Sequence, residues 1–132
     1  MQAIWLKSRL HGVRVTDTDP EGEDAFALDG DLLELAAIHE YEQIQVHNLT
    51  TGERLTSYAV RAEYGSRAVI VNGPATYKVS AGDRLSIHTY IGLNHQERTG
   101  FTPILIYCDA RNHVTEAINR VFMEHYSPVQ PL

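Results

Sequence analysis

Side chains at four positions can together bind a carboxylate and transfer a proton. Arg54 carries a guanidinium group, which suits bidentate contact with a carboxylate. Asp24, His47 and Tyr58 can form an acid–base set close to Arg54, because carboxylate and imidazole share proton transfer near neutral pH and a phenol donates to developing negative charge. Each of these residue types also has ordinary structural uses at turns and in strands. The chemistry therefore depends on a fold that brings the four side chains together.

Histidine is frequent, with seven residues in the chain, and this raises the question of a metal site. His11, His47 and His88 are far apart in the sequence, and no short ligand pattern such as His-x-x-x-His occurs. Cys108 is the only cysteine, which excludes an intrachain disulfide and a thiolate-rich metal site. We therefore expect no metal. His11 and His47 remain candidates for acid–base chemistry.

Composition predicts a single domain spanning residues 1–132. A chain of 132 residues with 43% hydrophobic content can bury roughly two thirds of the surface of its unfolded form. The formal charge of −6 argues against nucleic acid or an anionic membrane as the main partner. The apolar run at residues 1–7 is too short for a signal peptide, and no later run has the length of a membrane span. We expect a soluble, cytoplasmic protein without a nucleic-acid or membrane partner.

Short strands separated by turn residues dominate the pattern. Alternating apolar and polar residues predict strands at 10–16, 43–48, 54–59, 68–72 and 84–89. Thr51 and Gly52 indicate a hairpin between the second and third of these strands. A short helix is predicted at 29–37, capped by Asp29 or Asp31. Strands in this number with few helices are typical of a barrel or sandwich.

The C-terminal segment has a different pattern. Its apolar residues recur at helical spacing between residues 112 and 126, namely Val114, Ala117, Ile118, Val121 and Phe122. This spacing predicts a C-terminal amphipathic helix that packs on the barrel or on a neighbouring subunit. The tail of about residues 112–132 should therefore end in an extended segment after that helix.

Several motifs occur in an order and spacing that resemble one known family. They are Leu-His-Gly-Val-Arg-Val-Thr at 10–16, Asn-Leu-Thr-Thr-Gly-Glu-Arg at 48–54, Ser-Tyr-Ala-Val at 57–60, Glu-Tyr-Gly-Ser-Arg at 63–67, Val-Asn-Gly-Pro-Ala at 71–75 and Gly-Asp at 82–83. The chain resembles the bacterial pyruvoyl-dependent aspartate 1-decarboxylases, without a gap from residue 9 to residue 90. A weaker match continues to residue 107. The resemblance implies a six-stranded double-psi β-barrel that assembles as a homotetramer with active sites between subunits.

The resemblance also assigns roles to individual residues. It implies that Arg54 binds a substrate carboxylate and that Tyr58 donates a proton. Ser57 stands where the family usually has threonine and keeps the hydroxyl. Arg9 replaces a lysine, His47 a tryptophan and Gly22 a tyrosine, whereas His11 is retained. Asn72, Gly73 and Ala75 match a loop that lines the pocket, although Pro74 removes one N–H donor there.

The largest departure is at the position of self-processing. In the family, the serine of a Gly-Ser bond attacks the preceding carbonyl and ends as an N-terminal pyruvoyl group. This chain has Asp24-Ala25 at that position, and a methyl group can neither attack a carbonyl nor undergo the elimination. The resemblance with this departure predicts no autocleavage and no pyruvoyl cofactor.

Three functions follow as hypotheses. The first is an enzyme that works without a pyruvoyl group, binds a small carboxylate substrate through Arg54 and catalyses a lyase, isomerase, dehydratase or cyclisation step, as in specialised biosynthesis. The second is a non-catalytic or regulatory paralogue of aspartate 1-decarboxylase. The third is a genuine aspartate 1-decarboxylase, which converts L-aspartate to β-alanine. Asp24 argues against the form of the third in which Ala25 is an engineered change in a functional decarboxylase, because a simple block of processing would keep the glycine.

Overall fold

The protein is a mainly β structure, and its computed structural model describes residues 1–119. The strands are β1 (Ala3–Arg14), β2 (Asp17–Asp19), β3 (Ala25–Asp29), β4 (Gln43–Asn48), β5 (Arg54–Ala62), β6 (Val69–Asn72), β7 (Arg84–Leu93), β8 (Ile104–Cys108) and β9 (Val114–Ile118). Helix α1 (Gly30–Leu35) follows β3, and a 3-10 helix (Gly73–Tyr77) follows β6. The helices in residues 1–119 are not long and apolar enough to cross a membrane.

The sheet is mixed, with the strand order β2-β6-β3-β5-β4-β7-β1-β8-β9. The pairs β1/β8, β2/β6 and β3/β5 are parallel, and the other neighbours are antiparallel. The expected mainly β fold class with a short helix is confirmed. Six strands were expected, whereas the described residues form nine strand segments, of which β2 has only three residues.

Three adjacent strands, β1, β7 and β4, carry the centre of the hydrophobic core. Leu10 pairs with Ile87, and Ile87 pairs with Val46 on its other side. All three side chains are fully buried. Because successive side chains of a strand point to opposite faces, the residues that flank these three lie on the other face of the sheet. That other face carries the polar residues described below.

The predicted hairpin and helix cap are confirmed. Strands β4 and β5 pair antiparallel around Gly52, whose φ of +87° suits glycine and whose N–H donates to the Asn48 carbonyl at 2.7 Å. Asp29 is the N-cap of α1 and accepts a hydrogen bond from the Asp31 N–H at 2.8 Å. The helix is shorter than predicted, because Ala37 adopts a φ of +55° and ends the helical path.

The predicted C-terminal helix is wrong in the part that the structure describes. Asn112 has a φ of +64°, and the Asp109 carboxylate accepts hydrogen bonds from the N–H groups of Arg111 and His113. This turn reverses the chain, so that β9 pairs antiparallel with β8 instead of starting a helix. The remainder of the predicted helix, with Val121 and Phe122, lies outside the described residues. Strand β1 also begins earlier than predicted, at Ala3.

The carboxylate of Asp29 ties the start of α1 to the turn at residues 65–67, and its removal should be costly. Asp29 is buried and accepts hydrogen bonds from the N–H groups of Asp31, Gly65 and Arg67. We expect Asp29→Ala to lower the free energy of unfolding by about 3 kcal/mol, because buried donors lose a charged acceptor. Urea denaturation measures this. Asp109→Ala is the matched control, since Asp109 is exposed and its donors reach water; equal losses in the two variants would contradict the prediction.

Candidate functional site

The face of the sheet opposite the core carries a row of polar side chains, here called the polar band. Arg9 pairs with His88, and His11 pairs with Ser86, across β1 and β7. On the other side of β7, Gln45 pairs with His88 and His47 with Ser86. Arg54 of β5 pairs with His47. Directly opposite residues share a face, so the band consists of Arg9, His11, Gln45, His47, Arg54, Ser86 and His88.

Direct contacts link the members of the polar band. The rings of His47 and His88 meet edge to face, with 4.3 Å between their centroids. The Ser86 hydroxyl lies 2.9 Å from Nε2 of His88. At the other end, the Arg9 guanidinium donates to the Tyr107 hydroxyl at 3.1 Å, and the Tyr107 ring lies 5.7 Å from the His11 ring. Ser86 and His88 are therefore almost enclosed, with 3% and 9% of their surfaces exposed.

The electrostatics of the polar band disfavour further positive charge. Burial, followed by the charges of His47, Arg9, His11 and Arg54, lowers the pKa of His88 to about 4. Burial and then the neighbouring Arg54 lower the pKa of His47. Burial, Arg9 and Arg84 lower the pKa of His11. The imidazoles are therefore neutral at pH 7, and every charge that acts on them is basic.

Several buried polar atoms have no hydrogen-bond partner among residues 1–119. Three of them are in the polar band, namely Nε of Arg9, Nδ1 of His11 and Nδ1 of His88, and the Ser57 hydroxyl is a further one on the opposite face of β5. Buried polar atoms are normally paired, so each such atom calls for an explanation. The guanidinium and imidazole N–H groups are hydrogen-bond donors, and the charged groups around them are positive, so the site favours an anion. The arrangement can bind a carboxylate without help from a metal, and the described residues contain no cluster of three metal-ligating side chains.

Strand β5 carries three of the predicted site residues. Arg54 and Tyr58 are four residues apart on this strand, so both project from the face that carries the polar band. Ser57 projects from the opposite face and is half-buried. Arg54 is exposed at its end of the band, where a small molecule can reach its guanidinium group.

The other predicted residues form a separate group at the start of β3, here called the position-25 group. Ala25 is 3% exposed and pairs with Asn72 at the start of the antiparallel β3/β6 ladder. A Cβ atom on Gly73 would lie 2.9 Å from the Asp24 Cα, and a Cβ on Gly22 would lie 3.1 Å from the Asn72 Cβ. The residues that replace the cleavage site are thus packed closely against the Asn72-Gly73 turn, with Ala75 buried in the following 3-10 helix.

The structure brings some of the predicted acid–base residues together and leaves one apart. His47 lies opposite Arg54, and Tyr58 shares their face of β5. Asp24 is exposed, and it is not among the charged groups that act on His47. The catalytic roles of Asp24, His11, His47 and Tyr58 stay predictions.

Sequence reasoning missed Ser86 and Tyr107. Polar Arg84, Ser86 and His88 alternate with apolar Leu85 and Ile87. This alternation indicates a polar face but not what lies opposite it.

Comparison with known proteins identifies relatives over nearly the whole chain. The family model described as aspartate decarboxylase matches residues 1–115. A protein of Methylococcus capsulatus named aspartate 1-decarboxylase is 44% identical over 98% of this chain and 98% of its own length. One of Thioalkalivibrio sulfidiphilus with the same name is 49% identical over 86% of this chain and 90% of its own. A crystal structure of a designed protein, msDPBB_sym2, has a TM-score of 0.47 at 15% identity and covers 66% of this chain and 96% of its own.

Two expectations from the sequence are wrong in the light of these relatives. An enzyme of a different, pyruvoyl-independent kind was expected, but the relatives with 44% and 49% identity are both named aspartate 1-decarboxylase. The expectation of a reaction that needs no pyruvoyl cofactor is overturned by the same finding, because the family reaction depends on that group. Both expectations treated the change at residue 25 as a change of reaction, whereas the similarity to relatives named aspartate 1-decarboxylase extends across the rest of the chain.

The residues present at position 25 do not fit a pyruvoyl group. That group forms from a serine hydroxyl, and Ala25 has a buried methyl group in its place. Asp24, with its exposed side chain, occupies the position of the glycine. We derive no catalytic step through the group.

The low pKa of His88 should make stability depend on pH. In the unfolded chain a histidine titrates near pH 6.5, so between about pH 4 and pH 6.5 the unfolded state binds more protons. We expect the free energy of unfolding to fall as the pH drops from 7 to 4.5, and to fall less in His88→Asn. Urea denaturation at the two pH values measures this, with His95→Asn in an exposed turn as control. A pH dependence unchanged by His88→Asn would refute the prediction.

Proposed function

The chain belongs to the aspartate decarboxylase family, and from this premise we propose that its pocket serves the aspartate 1-decarboxylase reaction, in which L-aspartate loses its C1 carboxylate to give β-alanine. The observation that carries the proposal is the position of Arg54 at the end of the polar band. There, a guanidinium group adjoins imidazoles that experience only basic charges. A dicarboxylic amino acid supplies the negative charge that such a site favours.

Arg54 is the proposed anchor for one carboxylate of the substrate. Its exposed guanidinium offers parallel N–H donors to a carboxylate. The imidazole of His47 beside it is neutral and therefore does not attract the carboxylate away from Arg54. Arg9 lies at the other end of the polar band and can hold the second carboxylate. A ligand that spans the band is thereby oriented by a cation at each end.

The remaining family-matched residues have proposed roles in orientation and proton supply. Tyr58 shares the face of Arg54 on β5, where its phenol can donate a proton to negative charge that develops on the substrate. Ser57 projects from the opposite face of β5, so its unpartnered hydroxyl is assigned no contact with a ligand on the polar band. Asn72, Gly73 and Ala75 shape the wall beside residue 25.

Residue 25 sets a condition on turnover. Decarboxylation by the family route requires a hydroxyl at this position, which Ala25 lacks. The proposal therefore assigns substrate recognition to the chain as it stands and assigns turnover to a form with serine at residue 25.

The same residue favours a second candidate function, in which the chain assembles with a self-processing relative. Sites between subunits, as the resemblance implies, would allow this chain to contribute Arg54 to a neighbour's pocket.

We also propose a homotetramer in the cytoplasm. Large hydrophobic side chains are exposed on the single chain, among them Ile4 at 75%, Tyr41 at 72% and Tyr77 at 90%. Such side chains support an assembly that covers them. A lone, half-buried Cys108 agrees with a reducing compartment.

Self-processing can be tested by intact mass. We expect the purified chain to remain one polypeptide of 14.8 kDa, because no hydroxyl is available at residue 25. In Asp24→Gly/Ala25→Ser, cleavage between residues 24 and 25 should yield two fragments. Ala25→Ser alone is the intermediate control, since it restores the hydroxyl without the glycine. A wild-type fragment that ends at Asp24 would contradict the expectation.

Substrate recognition can be tested with thermal shifts and product formation. L-aspartate at millimolar concentration should raise the Tm of the wild type but not of Arg54→Ala. Arg61→Ala is a matched control, because Arg61 is on β5 but pairs with Glu40 at 3.9 Å. In the Asp24→Gly/Ala25→Ser background, β-alanine production should exceed that of the wild type at least about 100-fold. Addition of Arg54→Ala to this background should lower production about 100-fold, which corresponds to a lost contact of about 2.7 kcal/mol. An Arg54→Ala variant that binds L-aspartate like the wild type would refute the assigned anchor.

A further inference from the structure

We propose that His88 takes up one proton when a dicarboxylate binds between Arg9 and Arg54, and so becomes a third cationic contact to the ligand. This inference rests on the proposed function of the pocket and adds to it a named proton-binding residue. His88 is the most enclosed imidazole of the polar band, with 9% of its surface exposed.

The position of His88 places it between the two proposed carboxylate anchors. Arg9 is its direct partner on β1, and Gln45 is its direct partner on β4. The charges of both Arg9 and Arg54 act on its ring. A ligand that brings one carboxylate to each arginine therefore places negative charge on both sides of the imidazole.

Ser86 allows His88 to exist in both protonation states without loss of a hydrogen bond. Its hydroxyl lies 2.9 Å from Nε2 and can act as donor or acceptor. Beside the neutral ring, the hydroxyl can donate to Nε2, while Nδ1 carries the ring hydrogen. When the ring is protonated, Nε2–H donates to the hydroxyl instead, and Nδ1–H is free for the ligand. Nδ1 is buried and has no hydrogen-bond partner in the part of the chain that the structure describes.

The charged groups around His88 explain why the ligand must precede the proton. From β1 it faces Arg9 and His11, from β4 His47, and from β5 Arg54. All four are basic, and after burial, which is the largest cause, they lower the pKa of His88 and keep the free imidazole neutral. Two carboxylates offset the charges of Arg9 and Arg54 and so remove the repulsion that these two groups exert on a proton at His88. A proton from solvent can then bind to the ring.

Isothermal titration calorimetry can count the proton. L-malate is the probe, because it has two carboxylates and no amino group, and both are ionised between about pH 6 and pH 8. Titrations at pH 6 in buffers of different ionisation enthalpy give the number of protons taken up per ligand. We expect uptake approaching one proton at pH 6, and an affinity that weakens as the pH rises to 8, by up to about tenfold per pH unit.

Variants assign the proton to a residue. His88→Asn keeps an N–H donor but cannot titrate here, so its binding should show no proton uptake and no pH dependence from pH 6 to pH 8. His47→Asn should still take up the proton, and His95→Asn, in the exposed turn, should behave as the wild type. Loss of uptake in His47→Asn but not in His88→Asn would overturn the assignment.

The outcomes for the inference and for the proposed function are separable. Binding of L-malate without proton uptake refutes the role of His88 and leaves the carboxylate pocket intact. Absence of binding of both L-malate and L-aspartate at every pH refutes the pocket, and the role of His88 with it.

Discussion

The pairing register of β7 with its two neighbours is the constraint on which both the core and the polar band depend. With this register, Ile87 meets Leu10 and Val46 in the core, and His88 meets Arg9 and Gln45 on the opposite face. A slip of one residue would exchange these faces, burying an imidazole among aliphatic side chains. Polar contacts in the middle of β7 and just before its start hold the register. Thr89 shares a buried hydrogen bond with Ser8, and Asp83, just before the strand, accepts from Asn48 at 2.8 Å.

The polar band concentrates basic groups on a protein whose formal charge is −6. The charged groups that act on the imidazoles of the band are arginines or other histidines. The acidic residues therefore lie elsewhere on the chain. Neutral histidines limit the repulsion between these basic groups, because they fill the space between Arg9 and Arg54 without adding positive charge. The same arrangement prepares the site for an anion, since its donors are already fixed and the ligand does not have to displace an internal carboxylate.

Local signals explain which parts of the fold could be predicted from the sequence. The hairpin at Gly52 and the Asp29 cap depend on residues within a few positions of each other, and both were predicted. The resemblance supplied the barrel and the proximity of His47 to Arg54. Ser86 and Tyr107 were missed as members of the site because both pair with His11 on β1, which is 75 residues from Ser86 and 96 residues from Tyr107 in the sequence.

Strand β9 shows the opposite limit, because its sequence fits two structures equally well. Val114, Ala117 and Ile118 have the spacing of a helix face, and Val114, Thr115 and Ile118 are β-branched residues that also favour strands. The turn at Asn112 decides between them: its buried side chain bonds the backbone of Arg14 and Arg67. A tertiary anchor of this kind leaves no periodic signal in the sequence.

The position-25 group indicates that two separate requirements of self-processing are missing, while the surrounding backbone contacts remain. A serine must supply the hydroxyl, and the residue before it must allow the backbone to bring its carbonyl to that hydroxyl, which glycine does most readily. Ala25 removes the first, and Asp24 replaces the glycine that provides the second. Yet Asp24 still packs its Cα against Gly73, and Ala25 still pairs with Asn72. Gly22 fits this uncleaved path, because a larger residue there would press on the Asn72 side chain. The chemical departure at residue 25 is thus accommodated locally, and the polar band across the sheet does not depend on it.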